Sequence, residues 1–135
     1  MTKPPVVATL SWKHQLVFEA ISGDNAILVD SGGQEGPSPM QTLAVSIAGC
    51  MSMDVAHILK KGRHPLRALR CELVAERAPS HPHRFTNVAI TFVVEGDVPQ
   101  DAVARAIQLS RDTYCSVWHS MRTDVVFTTS FQVVP

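Results

Sequence analysis

The run PSPMQTLAVSIAGCMSMDVAHILKK, Pro37 to Lys61, constrains this chain more than any other stretch. The spacing predicts one long helix. Pro37 and Pro39 stiffen its start, and Gly62 stands where a left-handed residue closes a helix. Lys60, Lys61 and Arg63 complement the negative end of the macrodipole. Leu43, Ile47, Cys50, Asp54 and His57 recur at helical spacing. Ala44, Val45, Ala48, Met51, Val55 and Ile58 make the rest of the circumference apolar as well. A helix without a broad polar face is buried on nearly all sides. At about 1.5 Å per residue it is roughly 30 Å long, the width of a small domain. One small sheet does not cover it, and a second subunit is expected to do so.

The 135 residues suit a single domain spanning the whole chain, 1–135. Twelve lysines and arginines balance twelve aspartates and glutamates, which gives no support for nucleic-acid or anionic-membrane partners. Small neutral partners fit better. Residues 1–10 lack a basic segment followed by an apolar run, and no stretch reads as a membrane span, so a cytoplasmic protein is expected. Cys50, Cys71 and Cys115 are an odd number of cysteines, which argues against a structural disulfide framework.

Short strands are expected at Val6 to Trp12, Leu16 to Ser22 and Ala26 to Val29, the last two joined by Gly23-Asp24-Asn25. The glycine-rich segment Asp30 to Ser38 lacks the ending of a phosphate loop and reads as a mobile connector. After the long helix, Ala68 to Ala78 and Phe85 to Glu95 alternate. Leu69, Cys71, Leu73 and Ala75 face inward on the first, and Val88, Ile90, Phe92 and Val94 on the second. Pro79-Ser80-His81-Pro82-His83 is the hairpin between them. Pro99 starts a second helix, and Ser110-Arg111-Asp112-Thr113 breaks it, placing Cys115 in the first turn of a third. Val125 to Val134 closes the chain as a strand. The order βββ-α-ββ-α-(α)-β has no repeating βαβ rhythm and belongs to the α+β class.

Cys71, on an alternating strand, reads as a small hydrophobe. Cys50 has the small neighbours Ser46, Ala48, Gly49 and Ser52, which suit either helix packing or close approach of a ligand to the sulfur. Cys115 lies beside Tyr114 and Trp118, with His119 one turn on. That histidine, or the positive end of the restarted helix, is a candidate support for a thiolate, and equally a plain packing residue. His81, His83, Cys50, Cys115 and His119 are conceivable zinc ligands, but no short cysteine pair is present and no metal site is expected. No glycine-x-serine-x-glycine elbow occurs. Thiol redox chemistry remains.

Gly36-Pro37-Ser38-Pro39-Met40, leading into Ala48-Gly49-Cys50-Met51-Ser52-Met53-Asp54-Val55 and Ile58-Leu59-Lys60-Lys61, resembles the central-helix signature of the osmotically inducible protein C and organic hydroperoxide resistance family (OsmC/Ohr). Arg105-Ala106-Ile107-Gln108-Leu109-Ser110, before Tyr114-Cys115-Ser116-Val117, is similar to that family's second cysteine region. The resemblance implies an OsmC-like α+β fold in an intertwined homodimer, with two long helices at its centre and active sites at the interface. It implies a thiol peroxidase acting on organic or lipid hydroperoxides. Cys50 is then oxidised to a sulfenic acid, Cys115 resolves it as a disulfide, and an external dithiol of lipoyl type, rather than a bound cofactor, restores the pair. Met40 stands where the best-defined members carry a glutamate. No arginine precedes Arg63, which leaves Lys13 and His14 as cations of the N-terminal stretch. Gln41, Trp118 and His119 complete the candidate pocket, and Asp54, one turn after Cys50, works against a thiolate unless it is paired. The alternative is a dimeric small-molecule-binding relative without turnover, whose cleft is lined by Met40, Met51, Met53 and Trp118.

Overall fold

The computed structural model describes residues 2–135. Among them the order is β1 (Thr9–His14), β2 (Val17–Ser22), β3 (Asn25–Asp30), α1 (Pro39–Lys61), β4 (Leu66–Arg77), β5 (Phe85–Gly96), α2 (Gln100–Leu109), a wide turn (Ser110–Tyr114), α3 (Ser116–His119) and β6 (Val126–Val134). This is the α+β order expected from the sequence. The backbone gathers into two compact units, one ending at Leu43 and one running from Ala44 to Pro135.

In the first unit β1, β2 and β3 form an antiparallel meander. Its register pairs Leu10 with Ala20 and Trp12 with Phe18, then Phe18 with Val29 and Ala20 with Ile27. Because side chains alternate across a strand, these six residues share one face, and all are apolar. The connector after β3 is more ordered than its glycines suggest. The Asp30 carboxylate accepts the N–H groups of Gly32, Gln34 and Glu35 at 2.9, 3.1 and 3.0 Å. Those bonds, Glu35 foremost, hold its carboxyl below the usual range. Gly36 passes so close to the Leu28 carbonyl that an added Cβ would lie 2.2 Å from the oxygen. The loop is pinned rather than mobile.

That loop delivers the chain to α1 through a reciprocal cap. The Gln41 N–H donates to Ser38 Oγ at 3.1 Å, the Ser38 N–H donates to Gln41 Oε1 at 2.9 Å, and Pro39 occupies the first helical position. At the other end the Arg63 N–H reaches the Lys60 carbonyl and the His64 N–H reaches that of Leu59. The residue with positive φ is Arg63, at 62°. The helix therefore closes in a Schellman motif with Arg63, not Gly62, as the left-handed residue.

In the second unit β4, β5 and β6 form a sheet, β4–β5 antiparallel and β5–β6 parallel. A parallel neighbour requires a crossover, and α2, the wide turn and α3 supply it. The inward row of β5, Val88, Ile90, Phe92 and Val94, is at most 1% exposed. The Cys71 sulfur, on the inward row of β4, accepts the Ser52 hydroxyl of α1 at 3.2 Å, consistent with its reading as an interior residue. The fully buried row of α1 is Ile47, Met51, Val55 and Leu59, displaced from the Leu43–Ile47–Cys50–Asp54–His57 line expected from the sequence. By length and composition α1 does match a membrane span, contrary to that expectation. Its buried row and its two caps are those of a core helix.

Candidate functional site

Cys50 and Asp54 lie one helical turn apart on α1 and share a face. The wide turn and α3 bring the second cysteine to them. Ser110 is fully buried. Its hydroxyl donates to Asp54 Oδ2 at 2.7 Å, and its carbonyl accepts the Cys115 N–H at 2.8 Å. A five-residue π-type turn thus replaces the last turn of α2; such wide turns recur where a helix must re-aim a functional side chain. Cys115 does not enter α3. It caps it, with Sγ accepting the Trp118 N–H at 3.3 Å.

The Cys50 side chain lies near enough to Cys115 to act on its thiol. Cys115 is fully buried and Cys50 half-buried, and both are free thiols. Burial pushes the Cys115 thiol up to about 11 against the opposing Trp118 N–H, and neighbouring Cys50 and the Asp54 charge add to the rise. Cys115 is thus kept as a neutral thiol at neutral pH.

Trp118 and His119 brace this segment. The indole stacks on Phe127 of β6 at 4.0 Å between ring centroids. The His119 ring is 3.0 Å from the Arg111 carbonyl, which directs it to the backbone rather than to the Cys115 sulfur. Arg111 lies 4.9 Å over the Phe127 ring and donates to the Phe127 carbonyl at 3.0 Å. Sequence reasoning did not find the roles of Ser110, Arg111 and Phe127. For Ser110 the available signal was a capping-type residue at an expected helix break.

Lys13, His14, Met40 and Gln41 belong to the unit ending at Leu43. Lys13 is exposed on β1. His14 Nε2 lies 2.6 Å from Glu35 Oε2, Met40 is half-buried in the first turn of α1, and the Gln41 amide is engaged by the cap. Met51 is fully buried, whereas Met53 is 73% exposed. The His81 and His83 rings lie 4.4 Å apart, tilted by 58°, in the β4–β5 connection, with His83 Nδ1 2.9 Å from the Ala78 carbonyl.

A family model described as OsmC-like protein matches residues 32–130, which include both cysteines, Asp54 and Ser110. The chain belongs to the OsmC-like family. Protein YhfA of Escherichia coli is 36% identical over 130 residues, covering 94% of this chain and 97% of its own. A hypothetical protein of Aquifex aeolicus, solved by crystallography, is 28% identical with a TM-score of 0.90 over 97% of both chains. An organic hydroperoxide resistance protein OsmC from Legionella pneumophila shares the fold at 15% identity, with a TM-score of 0.73 over 98% of this chain and 100% of its own. The OsmC-like fold accounts for the order βββ-α-ββ-α-(α)-β and for an apolar α1 at its core.

Proposed function

We propose that this OsmC-like protein is a thiol-dependent peroxidase that reduces organic or lipid hydroperoxides. The observation that carries the reading is the proximity of half-buried Cys50 to fully buried Cys115. Cys50 has the access a substrate requires. Cys115 is held protonated and is unsuited to be the first nucleophile, since the thiolate is the reactive form. In the first step the Cys50 thiolate attacks the outer oxygen of ROOH. The O–O bond breaks, ROH leaves after taking a proton, and Cys50 becomes a sulfenic acid. In the second, Cys115 displaces hydroxide from that sulfur, giving a disulfide and water. An external dithiol of lipoyl type then exchanges with the disulfide and returns both thiols. The organic hydroperoxide resistance protein sharing this fold supports the substrate class.

The same reading includes a homodimer. The apolar face Leu10, Trp12, Phe18, Ala20, Ile27 and Val29 is incompletely covered, with Trp12 68% and Ile27 48% exposed. On α1, Val45 and Met53 also point outward. Apolar surface of this extent calls for a protein partner, and a second copy is the partner we assign. Free cysteines suit a reducing compartment, and we place the protein in the cytoplasm.

Mixing reduced protein with one equivalent of cumene hydroperoxide and counting free thiols tests the chemistry. Two thiols are expected to disappear, with one molecule of alcohol formed, and Cys50→Ser is expected to abolish the loss. Unchanged thiols in the wild type, or the same loss in Cys50→Ser, would overturn the reading.

A further inference from the structure

We propose that Asp54 is the proton acceptor that allows Cys115 to resolve the oxidised Cys50. This deepens the peroxidase reading and rests on it for the identity of the oxidant. The resolving step has a chemical difficulty: the attacking group is a thiol, in full burial, that must lose its proton before its sulfur can attack. Burial, neighbouring Cys50 and the Asp54 charge all favour the neutral thiol, so only a trace of thiolate is present near neutral pH. Without an internal acceptor the step waits on hydroxide.

The geometry supplies such an acceptor. Asp54 is one turn from Cys50 on α1, and Ser110 joins the carboxylate to the Cys115 backbone through its hydroxyl on one side and its carbonyl on the other. Among the described residues, the groups facing this point can be named element by element. From α1 come Cys50 and Asp54, with exposed His57 three residues on. From the wide turn come the Ser110 hydroxyl and Cys115. The Arg111 guanidinium is directed to Phe127, and Asp112 lines a groove of about 410 Å³ between α2 and β6. From α3 comes the Trp118 N–H, while the His119 ring is occupied by the Arg111 carbonyl. Asp54 is the carboxylate in this set that Ser110 ties to the Cys115 backbone, and its charge is felt at the Cys115 thiol.

The step balances. The Cys115 proton passes to the Asp54 carboxylate, directly or through one water. The thiolate attacks the sulfenic sulfur of Cys50, the S–S bond forms and the S–O bond breaks. The departing hydroxide takes the proton from Asp54 and leaves as water. Cys50 is reduced from the sulfenic state, Cys115 is oxidised, and the carboxylate is regenerated without a further reagent. Asp54, which from sequence counts against reactivity at Cys50, contributes instead to the second half of the cycle.

The test uses the full chain with Cys71→Ala, so that two thiols remain. Reaction with 5,5′-dithiobis(2-nitrobenzoate) releases one thionitrobenzoate when Cys50 is labelled. A second is released when Cys115 displaces the label, which isolates Cys115 attack from any peroxide. The parent is expected to show a second phase whose rate is flat from pH 6 to 9. Asp54→Asn, which preserves an acceptor for the Ser110 hydroxyl, is expected to slow that phase about 100-fold and make it rise about tenfold per pH unit. Ser110→Ala, which retains the carboxylate, is expected to slow it less and keep the flat profile. An unchanged second phase in Asp54→Asn overturns the proposal. So does a parent rate that climbs tenfold per pH unit, a result that stands even if the variant fails to fold. Absence of labelling at Cys50 overturns both proposals. Cumene hydroperoxide distinguishes the two: a parent inert to it but resolving the label through Asp54 loses the peroxidase assignment alone.

Discussion

The chain contains two three-stranded sheets of similar apolarity and opposite completeness. In β4–β5–β6 the inward row of the central strand, β5, is fully buried. In β1–β2–β3 the register assembles an equally apolar face, yet Val17 and Asp30 are the buried residues of its strands. Alternation specifies which residues share a face; it does not specify what covers them. The first sheet leaves much of its apolar face exposed, and the second buries the row of its central strand.

Phe92→Ala breaks the comparison most severely. A fully buried phenylalanine in the middle of β5 is replaced by a cavity, at an expected cost of about 3–5 kcal/mol. Urea unfolding of the variant at constant ionic strength should show that loss. Trp12→Ser addresses the other sheet. It is expected to weaken association by about 1.5–3 kcal/mol per copy, the contribution of one large apolar side chain leaving water. Light scattering across a dilution series should show monomer at concentrations where the parent is dimeric. A dimer as tight as the parent's would remove β1–β2–β3 from the interface.

The sheets, the long helix and the break before Cys115 were legible because local pattern determines them. What was not legible depended on distant residues. Asp54 and Ser110 are 56 positions apart, and nothing in either neighbourhood specifies their hydrogen bond. The parallel pairing of β5 with β6 likewise emerges only once the crossover has folded. The Asp30 loop misled for a different reason: its glycines suggest freedom, while one carboxylate collects three N–H groups and removes it. The Ser38–Gln41 capping box lay within reach of local reading and was hidden behind the two prolines.

A pH titration sharpens the contrast at the site. With Cys115 raised to about 11 from an ordinary value of 9.0, the unfolded chain loses this proton first as pH rises. The native state therefore binds more protons between pH 9 and 11, and stability falls with pH across that window, the full contribution being present below pH 9. Cys115→Ala should flatten that part of the stability profile, as followed by thermal melts from pH 7 to 11.

The smallest effect lies at the C-terminal end of α1 and distinguishes sequence from structure within two adjacent residues. Sequence convention assigns the left-handed position to Gly62, whereas the backbone places it at Arg63, where a side chain resists φ of 62°. An added Cβ on Gly62 would meet the His64 ring at 3.0 Å, a close contact with a side chain that can turn aside. Arg63→Gly relieves the left-handed conformation at some cost in unfolded-chain entropy, with an expected net gain of about 0.5 kcal/mol. Gly62→Ala is expected to change stability by less than the roughly 1 kcal/mol typical of a left-handed site. If instead Gly62 were the left-handed residue, both substitutions would destabilise, so paired melts of the two variants separate the Schellman closure at Arg63 from a glycine cap one residue earlier.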